Sequence, residues 1–167
     1  MDDEAGHKRL ILNFIQAVWV GGDLDALDRF WAADCINHAA PAEASRGLAA
    51  LRSYHEQFME AFAAFSDFRN EILQQVSEGD RVVTQILSHA RHTGPFLGIP
   101  ATGRGVTLSA IRIDRIRDGK IAEHWSVSDV AGLMERIQGR VPRGVRRRRR
   151  ASSHSPLSIG SSARALT

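Results

Sequence analysis

The 167-residue sequence has very little cysteine and no long apolar run. Its only cysteine is Cys35, which excludes a disulfide within the chain and a cysteine-based zinc site. A membrane-spanning helix needs about 18 or more consecutive apolar residues, and the sequence contains no such stretch. The first nine residues are largely charged and lack the apolar core of a signal peptide. These absences predict a protein of the cytoplasm.

Several motifs that carry common chemistries are also missing. The sequence contains no phosphate-binding Walker loop, no GxGxxG fingerprint, no GxSxG elbow and no HExxH helix. His89 and His92 are three residues apart in a predicted strand, where such neighbours point to opposite faces. The sequence therefore predicts no metal site.

The positive charge of the chain is concentrated at its C-terminal end. Residues 140–167 carry eight arginines and no acidic residue, which leaves residues 1–139 with a net charge of −5. The tail is also poor in large apolar residues, and such a segment cannot bury enough surface to offset its ordering entropy. We expect a globular domain over residues 1–139 and a basic, disordered tail over 140–167. Binding of nucleic acid through this tail is the less favoured interpretation.

Hydrophobic periodicity divides the domain into a helical part and a strand part. Apolar residues recur every three or four positions over residues 10–19, 24–31 and 48–62, which predicts three helices. From Ser66 onward the period changes to two, which predicts about four antiparallel strands and then a short closing helix over 130–138. Asp118-Gly119 is a strong signal for a two-residue hairpin turn. Helices segregated from strands indicate an α+β fold.

Several short motifs together resemble one known family, the SnoaL-like polyketide cyclases (ester cyclases) of the NTF2-like superfamily. The resemblance covers roughly residues 8–138. Its most specific part is the loop His92–Arg104 together with Glu123-His124-Trp125 and the downstream Asp129. The other matching segments are Asn37-His38, Ser45-Arg46-Gly47, Glu78–Val83 and Arg115–Ile121.

The resemblance implies a cone-shaped α+β barrel, in which the N-terminal helices pack on a curved antiparallel sheet and enclose an apolar cavity. It also implies homodimers or homotetramers, and a polycyclic aromatic substrate. The implied reaction is intramolecular aldol ring closure of an aromatic polyketide ester, without metal or organic cofactor. Two alternatives stay open, namely hydroxylation of a polyketide intermediate in the same fold and a non-catalytic module that binds a small hydrophobe.

The resemblance makes Asp129 the first candidate for the acid/base group. An apolar cavity would have to raise the pKa of its carboxyl for it to act as an effective base. Asp129 also stands at the N-cap position of the closing helix, so a purely structural role is open. His124 and His92 are the further catalytic candidates, as donors to an enolate oxygen. Strand alternation places His124 and Asp129 on opposite faces, so we expect a bulge or only one of them in the cavity.

The remaining candidates are residues that would bind the substrate. Flat aromatic rings suit a polycyclic ligand through offset stacking, and Phe96 lies on a glycine-rich loop that could exclude water as a lid. The predicted substrate-binding residues are His38, Trp19, Tyr54, Phe58, Phe96 and Trp125.

Overall fold

The computed structural model of the protein describes residues 3–140. The basic tail predicted over residues 140–167 therefore lies, apart from Arg140, outside the described residues.

Within residues 3–140, the fold consists of four α-helices and five strands, together with short 3-10 and π-helical turns. The helices are α1 (Glu4–Phe14), α2 (Leu27–Phe30), α3 (Gly47–Phe62) and α4 (Val130–Ile137). The strands are β1 (Trp31–Asn37), β2 (Phe65–Glu78), β3 (Arg81–His92), β4 (Gly105–Arg117) and β5 (Lys120–Ser128). The hairpin predicted at Asp118-Gly119 is confirmed, since both residues have positive φ and join β4 to β5.

All five strands form one mixed sheet in the order β1-β5-β4-β3-β2. The last four pair antiparallel in chain order, whereas β1 lies parallel to β5. The two edge strands, β1 and β2, do not pair with each other, so the sheet is open. The α+β class and the NTF2-like arrangement are confirmed, but the sheet is not closed into a barrel.

The segment Trp31–Asn37 corrects the predicted element order. The sequence pattern places Trp31 at the end of a second helix, whereas the helix ends at Phe30 and Trp31 begins a strand. The strand is short and irregular, with a register shift between Trp31 and Ile36. The strand is held by its tertiary pairing with β5. Because its residues do not alternate between apolar and polar, the sequence carries no local sign of a strand here.

The first helix continues into a π-helical turn over Ile15–Val20. Such turns are rare and commonly occur at functional sites. Here the turn brings Ile15, Trp19 and Val20 to the cavity described below. Gly22, with a φ of 71°, then allows the chain to reverse into the next segment.

The described residues form two groups of buried apolar side chains. One joins α1, α2 and α3 to β1 and to the hairpin ends of β3, β4 and β5, with Phe14, Trp31 and Leu51 among its members. The other joins α4 to β2 and β4, through Leu133, Phe65 and Leu108. Within residues 3–140, no helix is both long and apolar enough to cross a membrane. The cytoplasmic location stays a prediction.

Candidate active site

A cavity of about 440 Å³ lies between the helices and the inner face of the sheet. This volume falls within the range of small-molecule sites. One side of the cavity is mainly aromatic, and it is formed by Trp19, Tyr54, Phe58, Phe62, Phe65 and Phe68. The rings of Phe58 and Phe62 stack at 4.3 Å, and that of Trp19 meets Phe58 edge-on at 4.9 Å. These surfaces suit a flat, apolar ligand.

Polar side chains enter the cavity from strands β4 and β5. Residues two apart in a strand share a face, so Arg112 and Asp114 both point inward from β4. The antiparallel register pairs Asp114 with His124 and Arg112 with Ser126 on β5. The alternation problem raised by the sequence is thereby resolved, because His124, Ser126 and Ser128 line the cavity and Asp129 does not.

Arg112, Asp114 and His124 form a connected cluster, which we call the inner cluster. The Asp114 carboxylate accepts hydrogen bonds from Arg112 Nε and Nη2, each at 2.7 Å. The His124 ring nitrogen Nδ1 lies 2.8 Å from Asp114 Oδ1. The Asp114 side chain is fully buried, and those of Arg112 and His124 are 7% and 12% exposed. The carboxylate is thus held by charged and polar donors away from solvent.

The electrostatics of the inner cluster determine its protonation. Burial alone would raise the pKa of the Asp114 carboxyl, but Arg112 and His124 outweigh burial and hold that pKa well below its usual range. Burial and the nearby Arg112 cation lower the pKa of His124, against the opposing effect of Asp114. At neutral pH the cluster therefore contains an ionised carboxylate and a neutral imidazole.

This arrangement leaves Nε2 of His124, the ring nitrogen that does not contact Asp114, free to accept a proton. An ionised carboxylate can only accept hydrogen bonds, so Nδ1 carries the ring proton and donates it to Asp114. The lone pair of the neutral ring is then on Nε2. A histidine oriented in this way by a carboxylate is a recurring form of general base. Arg112, which also lines the cavity, places a positive charge beside it.

Comparison with known proteins identifies the family. The family model "SnoaL-like polyketide cyclase" matches residues 9–137. The chain belongs to the SnoaL-like polyketide cyclase family. The resemblance noted in the sequence is therefore confirmed.

One curated relative is the aklanonic acid methyl ester cyclase DnrD of Streptomyces peucetius. It is 33% identical over 75 residues, which cover 44% of this chain and 52% of DnrD. The match thus spans about half the length of this relative.

Solved structures of the same fold match over more of the chain. TsrD from Streptomyces laurentii has a TM-score of 0.67 at 30% identity, covering 84% of this chain and all of TsrD. AclR from Streptomyces galilaeus, a suggested hydroxylase, gives the same TM-score and coverage at 29% identity.

Within this cyclase fold, Asp129 lies at the start of α4 and outside the cavity lining. Its Oδ1 accepts the backbone N–H of Gly132 at 2.9 Å, which is N-cap geometry. Its Oδ2 lies 3.4 Å from Arg136 Nη1, and the side chain is 46% exposed. The structural alternative for Asp129 is the one observed. A catalytic role for it stays a prediction, which this placement does not support.

His92 and Phe96 lie behind the cavity wall. His92 is fully buried, and its Nδ1 accepts the backbone N–H of Thr102 at 3.3 Å, which ties β3 to the glycine-rich loop. Phe96 packs 5.0 Å from the ring of Phe65 and is 9% exposed. Neither residue is among the cavity lining. Both support the wall, and their predicted catalytic, binding and lid roles stay predictions.

His38 and Trp125 lie together on the outer side of the sheet. Their rings stack at 4.5 Å with an interplanar angle of 4°. His38 Nε2 lies 2.9 Å from Glu123 Oε2, and Arg115 Nε donates to Glu123 Oε1 at 2.8 Å. We call His38, Arg115, Glu123 and Trp125 the outer cluster. Of the predicted binding residues, Trp19, Tyr54 and Phe58 line the cavity, whereas His38 and Trp125 do not.

The described residues contain no group of three or more metal-ligating side chains. His89 and His92 separate as strand geometry requires. His89 contacts Glu71 on the exposed side at 3.2 Å, while His92 is buried. The inner cluster consists of one imidazole, one carboxylate and one guanidinium.

Sequence reasoning missed Arg112 and Asp114, although one signal was present. On β4 the buried residues Val106, Leu108 and Ile116 occupy even-numbered positions, and Arg112 and Asp114 share this parity. Ile111 and Ile113 alternate with them, and they are 47% and 37% exposed. Because both faces of the strand carry apolar residues, alternation alone does not show which face is buried.

Proposed function

We propose that the protein catalyses intramolecular ring closure of an aromatic polyketide ester by proton transfer at His124. The observation that carries this proposal is the inner cluster, which places a neutral, carboxylate-oriented imidazole at a cavity lined by aromatic rings. Family membership supports a polyketide substrate. The substrate in the name of DnrD, aklanonic acid methyl ester, is the first compound to test.

The proposed reaction balances without a co-reactant. His124 Nε2 removes a proton from a methylene flanked by carbonyl groups, and the electron pair of the broken C–H bond forms an enolate. The enolate carbon then bonds to a ketone carbon of the same molecule, and the ketone oxygen becomes an alkoxide. The alkoxide takes back the proton held by His124. Arg112 stabilises the negative charge on the oxygens throughout.

Product mass and two variants test the proposal. The wild-type protein, incubated with the methyl ester in air and without added cofactor, is expected to yield a product of unchanged mass and altered retention. His124→Gln is expected to reduce kcat by about 100-fold or more, since general base catalysis contributes that much. Asp129→Asn is expected to keep turnover, because asparagine caps helices as well as aspartate does. Lost turnover in Asp129→Asn together with retained turnover in His124→Gln would reassign the base to Asp129. Full activity in both variants would refute the proposed mechanism.

A hydroxylase is the second candidate, and the structural similarity to AclR favours it. Hydroxylation inserts one atom of molecular oxygen into a C–H bond and reduces the other to water with two electrons. It therefore predicts a product one oxygen atom heavier and a strict need for both molecular oxygen and an added two-electron reductant such as NADPH. The same incubation with this reductant added, in air and under nitrogen, separates the two reactions, since aldol closure proceeds without oxygen. If neither product forms although the compound binds, the non-catalytic module becomes the better interpretation.

The oligomeric state also remains a proposal. Across the outer face, Val76, Val83, Ile113 and Trp125 lie in one row of the register. Val127 on the same face is 77% exposed. We propose that a second copy covers this face, as the family resemblance implies.

A further inference from the structure

Three buried polar atoms that belong to cavity-lining residues have no hydrogen-bond partner among the described residues. They are Trp31 Nε1, Asn37 Nδ2 and His55 Nε2, and all three residues line the cavity. Each residue is at most 2% exposed. An unsatisfied buried polar group costs about 1–3 kcal/mol, so such groups are rare unless a ligand or water meets them.

The role of each atom follows from its neighbours. An indole nitrogen can only donate, so Trp31 Nε1 is a donor. Asn37 Oδ1 accepts the backbone N–H of Ala39 at 3.0 Å, which makes Nδ2 the free, donating end of the amide. His55 Nδ1 lies 2.9 Å from the Leu51 carbonyl oxygen and must donate to it, so Nε2 is an acceptor. Burial lowers the pKa of His55 to about 4, which keeps this acceptor unprotonated at neutral pH.

These atoms lie at the same end of the cavity as His124. The Trp31 ring is 6.4 Å from the His55 ring and 5.9 Å from the His124 ring, measured between centroids. Asn37 is directly paired with His124 in the register of β1 and β5. Two free donors and one free acceptor therefore belong to residues close to the proposed base. Because a carbonyl or ether cannot donate, a ligand can satisfy His55 Nε2 only through an O–H or N–H group.

We propose that Trp31, Asn37 and His55 form a subsite for a ring hydroxyl of a fused aromatic ligand. The hydroxyl hydrogen is donated to His55 Nε2, and ligand oxygens accept from Trp31 Nε1 and Asn37 Nδ2. The choice of a fused aromatic ligand rests on the proposed function; the requirement for a hydroxyl rests on the three side chains. The subsite would hold the oxygenated end of the substrate beside His124 while the aromatic side holds the rings.

Binding of two matched, unreactive probes tests the subsite. 2-Hydroxyanthraquinone can donate through its hydroxyl, whereas its 2-methoxy ether cannot donate and is larger by one methyl group; the His55 variant below separates the two differences. Isothermal titration gives the affinity of each probe. We expect the wild-type protein to bind the hydroxyl compound about tenfold more tightly, as one net hydrogen bond predicts. His55→Phe is expected to abolish this preference, whereas His89→Phe, which replaces a partly exposed histidine outside the cavity lining, is expected to keep it. Equal affinities in the wild type, an unchanged preference in His55→Phe, or no binding of either probe would overturn the proposal.

A second measurement uses the unaltered protein and does not depend on the folding of a variant. In protein labelled with ¹⁵N-histidine, the Nε2 resonance of His55 is expected to shift with the hydroxyl probe and not with the ether. A resonance that responds equally to both would contradict the subsite.

Neither probe carries the ester side chain needed for ring closure, so the binding result is independent of turnover. A hydroxyl preference without ring closure would refute the proposed reaction alone. Ring closure without the preference would refute the subsite alone.

Discussion

The inner and outer clusters contain the same three kinds of charged or titratable side chain, in different surroundings. The inner cluster joins His124, Asp114 and Arg112; the outer cluster joins His38, Glu123 and Arg115, with Trp125 stacked on the histidine. Adjacent residues of β5, Glu123 and His124, belong to opposite clusters. The side chains of the outer histidine, glutamate and arginine are 37%, 21% and 22% exposed, whereas the inner carboxylate is fully buried.

The difference between the clusters shows what burial adds to a fixed set of chemical groups. Hydrogen bonds from His38 and Arg115 lower the pKa of Glu123, but water reaches these three side chains and screens the attraction between their charges. In the inner cluster the same attraction acts away from solvent, and it opposes a large desolvation penalty. The inner carboxylate therefore fixes the orientation of a histidine at a cavity, while the outer one only ties together the surface of the sheet.

The largest expected difference is in stability. Asp114→Asn would leave Arg112 buried without a counter-charge, and we expect it to lower the free energy of unfolding by about 3–5 kcal/mol. Glu123→Gln breaks the corresponding outer pairs and is expected to cost less than about 1 kcal/mol. Urea denaturation of both variants at pH 7 measures the two values. Equal losses would mean that burial does not distinguish the clusters.

The next largest expected effect is a dependence of the free energy of unfolding on pH, to which histidines that are buried in their neutral form contribute. The pKa of His55 is about 4 in the folded protein and about 6.5 when unperturbed. Between these values the unfolded chain binds more protons than the folded one, so stability falls as the pH falls from 6.5 to 4. For His55 alone the loss is about 3 kcal/mol, and His124, whose pKa is also lowered, acts in the same direction.

Urea unfolding at pH 7, 5 and 4 checks this dependence. His55→Phe is expected to remove most of the loss contributed by His55, and His38→Phe, which alters a histidine of the outer cluster, serves as the comparison variant. If the fall in stability between pH 7 and pH 4 disappears in His38→Phe, the responsible histidine lies outside the cavity.

The smallest expected effect is a displaced pH profile of turnover. If His124 is the base, activity requires its neutral form, and kcat/KM falls when the pH drops below the pKa of the free enzyme. Because burial and Arg112 lower this pKa, we expect the acidic limb below the ordinary histidine value of about 6.5. Glu123→Gln is expected to leave the limb in place. A limb above 6.5 would show that the inner cluster does not set the protonation of the base.

Local signals in the sequence were sufficient for most of the secondary structure. β5 has the predicted bounds of Lys120–Ser128 because the Asp118-Gly119 turn fixes its start and the cap at Asp129 fixes its end. The strand Trp31–Asn37 was not predictable in this way, since its pairing partner lies about 90 residues further along the chain. The candidate site was found only in part, through His124 and the aromatic residues Trp19, Tyr54 and Phe58.

The sequence by itself determined the elements, the α+β class and membership in the SnoaL-like polyketide cyclase family, because turns, caps, periodicity and short motifs are local. It also determined that His124 and Asp129 could not share a face of an unbroken strand. Only the tertiary structure decided which face of the sheet is covered by helices. That choice buried Arg112 and Asp114 beside His124 and left Trp125 outside, since a period of two separates the faces of a strand without saying which one will meet the core.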